Sequence, residues 1–272
     1  MTRRAALLRA GIFWAGYFVC LLTTSLAIGM TGVRRSDWHG TKGQWCMGAV
    51  MTCLMLLWTK ICLRTEGTTA NDTGTALAAG SIPRAMLGLA VGIPLSALTY
   101  VSLIWLLPGV HFVRNANGIR PVVTAVVLFL LLAAFEEIGF RGYPMQRLLK
   151  AFGQWPTLFI VAAVFVIYHI SIGWTVPQAL IGTGLGSMLF GMAAIAARQG
   201  LAFPIGVHAG WNMATWALSQ QGGLGIWDIA FPPALAGRVQ TMGMAAYVVA
   251  MLVGITCLTL LSRSRYGTVV RA

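Results

Sequence analysis

Charge is what this sequence has least of. Of its 272 residues only 9% are Asp, Glu, Lys or Arg, where soluble domains carry roughly 25%. Such a chain has too little polar surface to cover a soluble core, so most of its solvent is lipid. The five cysteines (Cys20, Cys46, Cys53, Cys62 and Cys257) include no C-x-x-C pair. That excludes a zinc knuckle or a disulfide framework and leaves them as small hydrophobes. H-E-x-x-H, the usual signature of soluble zinc peptidases, is missing. The glycines Gly182, Gly184 and Gly186 do not fit G-x-G-x-x-G, and their spacing is that of close helix packing in membranes. No nucleic-acid motif accompanies the net charge of +13. The basic residues sit at the ends of apolar runs, where they meet headgroups, so the partner they imply is the lipid bilayer and not nucleic acid.

What is abundant is apolar: 58% of residues, with a mean hydropathy of +0.78. Runs of roughly 17–25 such residues cross a bilayer as helices, because every backbone group must be satisfied internally. Eight are expected, at about 11–31, 45–62, 85–107, 121–138, 156–172, 177–197, 202–218 and 241–261. The first follows Arg3, Arg4 and Arg9 but is long for a cleaved signal and lacks an A-x-A site, so it reads as a retained span. Counting Lys and Arg on alternate sides puts 13 with the termini and 6 (Arg34, Arg35, Lys42, Arg114, Arg120, Arg238) opposite. Both termini are therefore expected in the cytoplasm. Thr65–Ser81 reads as a flexible cytoplasmic loop. Gly142–Phe152 interleaves apolar and basic positions and suits either a loop or a short amphipathic helix along the inner surface. The fold class is thus all-α and polytopic, one membrane-embedded domain over 1–272.

Ionisable residues within apolar spans are costly and therefore mark function. Two of the six acids, Glu136 and Glu137, close the run Pro121–Phe135, and two of the four histidines, His169 and His208, lie inside spans; His39 and His111 fall in expected loops. Helical geometry turns adjacent residues about 100° apart, while i,i+4 pairs share a face. Glu137 and Arg141 form such a pair, so Glu137 is expected in a structural ion pair, with Glu136 facing a cavity. His208 and Asn212 are a second i,i+4 pair, able to present an imidazole and a carboxamide to one point. Phe165 and His169 are a third, with Phe165 read as packing. A base near an imidazole, plus a hydrogen-bonding pair, suits hydrolysis. Glu136 near His169 can orient and deprotonate a water, since a partly desolvated carboxylate is a stronger base. His208 and Asn212 can stabilise the oxyanion. The alternative is a Zn2+ site with Glu136, His169 and His208 as ligands. A non-catalytic or proton-coupled membrane protein would also use intramembrane Glu and His. Depth gives one mismatch: counted from Pro156, His169 lies about 20 Å in, too deep to meet Glu136 unless span five begins below the bilayer or the helices tilt.

Together Glu136-Glu137-Ile-Gly-Phe-Arg141, Phe165-Val-Ile-Tyr-His169 and His208-Ala-Gly-Trp-Asn212 resemble the CAAX-protease and bacteriocin-processing (Abi) family, described by E-E-x-x-x-R, F-x-x-x-H and H-x-x-x-N/D. Phe140 to Pro144 (F-R-G-Y-P) extends the match. The resemblance implies about eight helices around a conical catalytic cavity, with 121–218 as the catalytic core. It implies an intramembrane endopeptidase acting on membrane-associated peptides or proteins, in which Glu136, His169, His208 and Asn212 do the chemistry and Glu137 and Arg141 support them. The family has been described both as metal-dependent and as glutamate-based. Ile138-Gly139 departs from the bulkier apolar pair common after the glutamates, and Ile-Tyr-His-Ile-Ser from the small residues frequent around the histidine. The Arg/Ala/Gly-rich style looks bacterial, implying a bacterial cell membrane.

Overall fold

The first three apolar runs and the last fold as helices longer than the runs themselves, because these helices continue past the hydrophobic stretch into polar ends. The computed structural model describes residues 1–30, 41–115, 122–197, 200–220 and 225–269, with side chains described up to 263 and from 42 in the second segment. Arg34, Arg35, His39, Arg120, Pro121, Arg198 and Arg271 lie outside the described residues. In order come α1 (Arg3–Met30), α2 (Thr41–Glu66), a 3-10 turn (Ala70–Thr73), α3 (Ser81–Leu106), β1 (His111–Arg114), α4 (Val122–Glu137), a π-helical turn (Ile138–Gly142) and α5 (Tyr143–Phe152). There follow α6 (Gln154–Ser171), α7 (Val176–Gln178), a second π turn (Ala179–Thr183), α8 (Gly184–Ala197), α9 (Ala202–Ala217), β2 (Trp227–Ala230) and α10 (Ala236–Val269). The protein is an all-α, multi-pass membrane protein. Among the described residues seven helical segments are long and apolar enough to cross a bilayer. The eighth expected span, 202–218, forms as the 16-residue α9.

Two expectations are corrected at span four. The 121–138 run does not end at the glutamates: α4, the π turn and α5 form one apolar segment, Val122–Phe152, of 31 residues. Tyr143, Pro144, Met145, Arg147 and Leu148 are buried in it, so 142–152 is a continuation into the bundle and not a surface helix. This places Glu136 near the middle of the segment and removes the depth mismatch. Glu136 lies 16 residues before Phe152 and His169 15 residues after Gln154, across a turn at Gly153. At 1.5 Å per residue both are about 23 Å from that turn. It also takes the fully buried Arg141 out of the loop charges that were counted for orientation.

α3 and α9 pack backbone to backbone, and the cause is four glycines. A Cβ on Gly88 would lie 2.3 Å from the Phe203 carbonyl oxygen, and on Gly92 2.1 Å from that of Val207. On Gly206 it would lie 2.1 Å from the Ala85 oxygen, and on Gly210 2.9 Å from the Leu89 oxygen. Small-xxx-small spacing on both helices permits this approach, and it locks the position of His208, midway between Gly206 and Gly210. A Cβ on Gly182, Gly184 or Gly186, by contrast, would meet its neighbours only at ordinary van der Waals distances.

At the end holding the α2–α3 connection, Glu66 pairs with Arg147 (2.8 Å) and Arg9 (3.2 Å) and accepts a hydrogen bond from the Tyr143 hydroxyl. The expected flexible loop 65–81 is instead anchored there. Arg147 donates to Thr68 Oγ1 (2.9 Å), Asp72 accepts from the Thr69 amide and hydroxyl, and the Leu201 amide donates to the Gly74 carbonyl. At the opposite end of α3, β1 and β2 form an antiparallel ribbon with Phe112 opposite Ile229. Strands here were not foreseen, and His111 sits in one of them.

Candidate active site

The two glutamates end α4, whose preceding turns are apolar on both faces, buried at Ala125, Phe129 and Ala133 and exposed at Val123 and Val127. The backbone then widens into the π turn, a feature frequent beside functional sites. Gly139 in that turn is required by its neighbour: a Cβ would sit 2.6 Å from the Tyr17 ring. The departure Ile138-Gly139 is therefore the complement of an aromatic on α1.

The turn separates the environments of the two acids. Glu137 has a fully enclosed side chain, while that of Glu136 keeps 14% of its surface. Glu137 Oε1 accepts from Arg141 Nη1 at 3.3 Å, the expected i,i+4 pair, and from His208 Nδ1 at 2.9 Å. The other terminal nitrogen of Arg141, Nη2, donates to the Ser187 carbonyl (3.1 Å) and hydroxyl (2.9 Å). Its guanidinium lies 4.6 Å from the Phe165 ring centroid and 5.7 Å from that of Phe190. Phe165 is thus packing, as expected, but packing against the cation that holds Glu137.

His208 is the hub of the arrangement. Its Nδ1 faces Glu137, its Nε2 lies 3.7 Å from Glu136 Oε2, and its ring stacks on Phe190 at 4.1 Å between centroids, 14° from parallel. Because an ionised carboxylate only accepts, Nδ1 carries a proton. The 3.7 Å gap is too long for a hydrogen bond, so Nε2 is not committed to Glu136. Asn212 stands one turn further along α9, half-buried.

His169 Nδ1 lies 2.9 Å from the Phe165 carbonyl. A carbonyl cannot donate, so this nitrogen bears the hydrogen and Nε2 is left as the acceptor. Trp174 meets the imidazole edge-on, at 5.2 Å and 86°. Among the described residues the partners of Glu136 are His208 and the Tyr168 hydroxyl, which donates to Oε1 at 3.4 Å. The structure therefore brings Glu136, Glu137, Arg141 and His208 into one cluster, and sets His169 beside it through Tyr168.

The donor set does not fit a metal in this geometry. Among the described residues no three His, Cys, Asp or Glu side chains group to hold an ion.

Tyr168, Phe190 and Ser187 were not singled out as site residues by sequence reasoning. Tyr168 sits inside the F-x-x-x-H motif, next to the histidine, and that adjacency was its only signal. Phe190 and Ser187 lie on α8, where one more Phe or Ser in an apolar run gives no signal.

Residues 118–214 match the family model of Rce1-like proteins, described as type II CAAX prenyl endopeptidase Rce1-like. The matched segment contains all three motifs. No curated protein matches the chain.

Proposed function

We propose that this chain, whose residues 118–214 match the Rce1-like CAAX endopeptidase model, is a member of that family and hydrolyses internal peptide bonds of membrane-associated substrates, with Glu136 as the base. The observation that carries the reading is the division of labour between adjacent acids: Glu137 is enclosed and doubly bonded, Glu136 keeps an open edge.

In this scheme a water sits between Glu136 and the acceptor Nε2 of His169. Glu136 takes its proton as the oxygen adds to the scissile carbonyl. The oxyanion is met by His208 Nε2–H and the Asn212 carboxamide. With Nδ1 already donating to Glu137, an Nε2 donor makes His208 an imidazolium. Two carboxylates and two cations (Arg141 and His208) then sum to zero, the balance a low-dielectric site favours. The protonated Glu136 passes its proton to the leaving amine, which closes the cycle. Ser187 acts on Arg141, Arg141 on Glu137, and Glu137 on His208, as positioning groups.

The whole chain is proposed as one membrane-embedded unit of a bacterial cell membrane, with 121–218 as its catalytic core and both termini cytoplasmic. The test is to compare membrane proteomes from cells carrying the wild type and Glu136→Gln, scored for new peptide termini. Termini present only with the wild type support the reading; identical sets from both oppose it.

A further inference from the structure

A groove of about 430 Å³ opens at the ribbon end of the bundle, within the ~300–1,000 Å³ range of ligand sites. Its walls are the last turns of α3, the second π turn, the first half of α10 and the residues of and after β2, Ile229 and Phe231. It adjoins the site through Trp174 and reaches the Asn212 turn of α9 through Tyr247. Trp174, in its wall, is the ring that meets His169 edge-on. Tyr247, also in its wall, meets Trp211 edge-on at 5.6 Å, and Trp211 immediately precedes Asn212.

The lining chemistry is specific. Three carboxamides (Gln178, Gln220 and Gln240) and the hydroxyls of Thr99 and Tyr100 stand among apolar side chains, and among the described residues no charged side chain lines the groove. A scissile peptide must be extended, since a helix hides its carbonyls behind its own hydrogen bonds. An extended backbone in an apolar medium loses several kcal/mol per unpaired amide group. Carboxamides donate and accept at once, so they can satisfy such a backbone without reading its sequence. The described lining offers no charged partner to a free C-terminal carboxylate or to an acidic or basic side chain.

We infer that this groove receives an extended, uncharged, internal stretch of the substrate polypeptide, delivering it to His169 and Asn212 from the ribbon end. The inference rests on the peptidase reading for the word substrate, but its test does not. The full chain carrying Glu136→Gln, in lipid nanodiscs, is photolabelled with an end-blocked decapeptide of Ala, Gly, Ser, Val and Leu holding one central benzoylphenylalanine. Two further probes carry an Asp or a Lys beside the photophore. Labels should map to Trp174 and the 239–247 segment of α10, with the charged probes labelling about tenfold less, because a charge placed there has no partner. Gln240→Arg should restore labelling by the Asp probe and not by the Lys probe. If that variant does not fold, the comparison of the three probes on the unaltered groove still decides. Labels at the α1–α5 end, or equal labelling by all three probes, overturn the inference. Hydrolysis by the wild type with labels at the α1–α5 end overturns the groove and leaves the peptidase standing; groove labelling without hydrolysis by the wild type supports the groove and counts against the peptidase.

Discussion

Replacing Arg141 by Met removes a charge from a site with no access to water. The side chains of Arg141 and Glu137 are both fully enclosed. The substitution deletes the 3.3 Å bond to Glu137 and the two bonds to Ser187, at 3.1 and 2.9 Å, and leaves Glu137 with His208 as its remaining partner. Breaking a buried ion pair costs about 3–5 kcal/mol in soluble proteins. Interhelical hydrogen bonds in membranes average nearer 0.6 kcal/mol, because the unfolded helices also find partners. Here the low membrane value does not govern, since Glu137 and Arg141 share one helix segment and the loss is a stranded charge. We therefore expect Arg141→Met to lower stability by about 3 kcal/mol. Arg141→Lys keeps the charge but not the planar fork that reaches Ser187 and Glu137 together, and should lose about 1–2 kcal/mol. Pairing Arg141→Met with Glu137→Gln removes the stranded charge and should recover about 1 kcal/mol or more. Steric-trapping or denaturant titration of the helical signal in micelles measures all three. Arg141→Met as stable as the wild type, or a double variant showing only the sum of the single losses, would refute the claim that Glu137 is held as a charge.

Gly92→Val should separate α3 from α9, since its Cβ falls 2.1 Å from the Val207 carbonyl oxygen; a loss of about 2–4 kcal/mol is expected by the same titration. Gly11→Ala, with nothing within 4 Å, is the neutral control. Phe190→Leu removes the ring stacked on His208 and should lower kcat about tenfold with KM nearly unchanged, as befits lost positioning of a catalytic imidazole. Asn212→Ala should lower kcat by about 10²–10³-fold, the usual loss of one oxyanion donor, while the helical content stays that of the wild type.

Much of this was legible in the residues. The lipid solvent followed from composition, and Glu137–Arg141 from i,i+4 spacing, because both depend on local rules. The fate of α5 was not legible. Its basic residues suggested a surface, yet Arg147 is buried because Glu66, 81 positions earlier in sequence, comes to meet it. The contact of His208 with Glu137 was hidden for the same reason. The turn partner of His208, Asn212, is visible in the sequence, but the carboxylate at the histidine Nδ1 comes from α4, and that meeting depends on Ala125, Phe129 and Ala133 packing with Ala209 beside the α3–α9 contact. The ribbon escaped notice because two four-residue strands over a hundred positions apart carry no periodic signal.

Hydrolysis in ¹⁸O-labelled water tests the central claim most directly. Purified protein in nanodiscs would be given a library of membrane-inserted uncharged peptides, and new C-termini would be read by mass spectrometry. The account predicts one ¹⁸O in each new carboxylate with the wild type, and a loss of product of about 10³-fold or more with Glu136→Gln at unchanged stability. Cleavage by Glu136→Gln at the wild-type rate would contradict it.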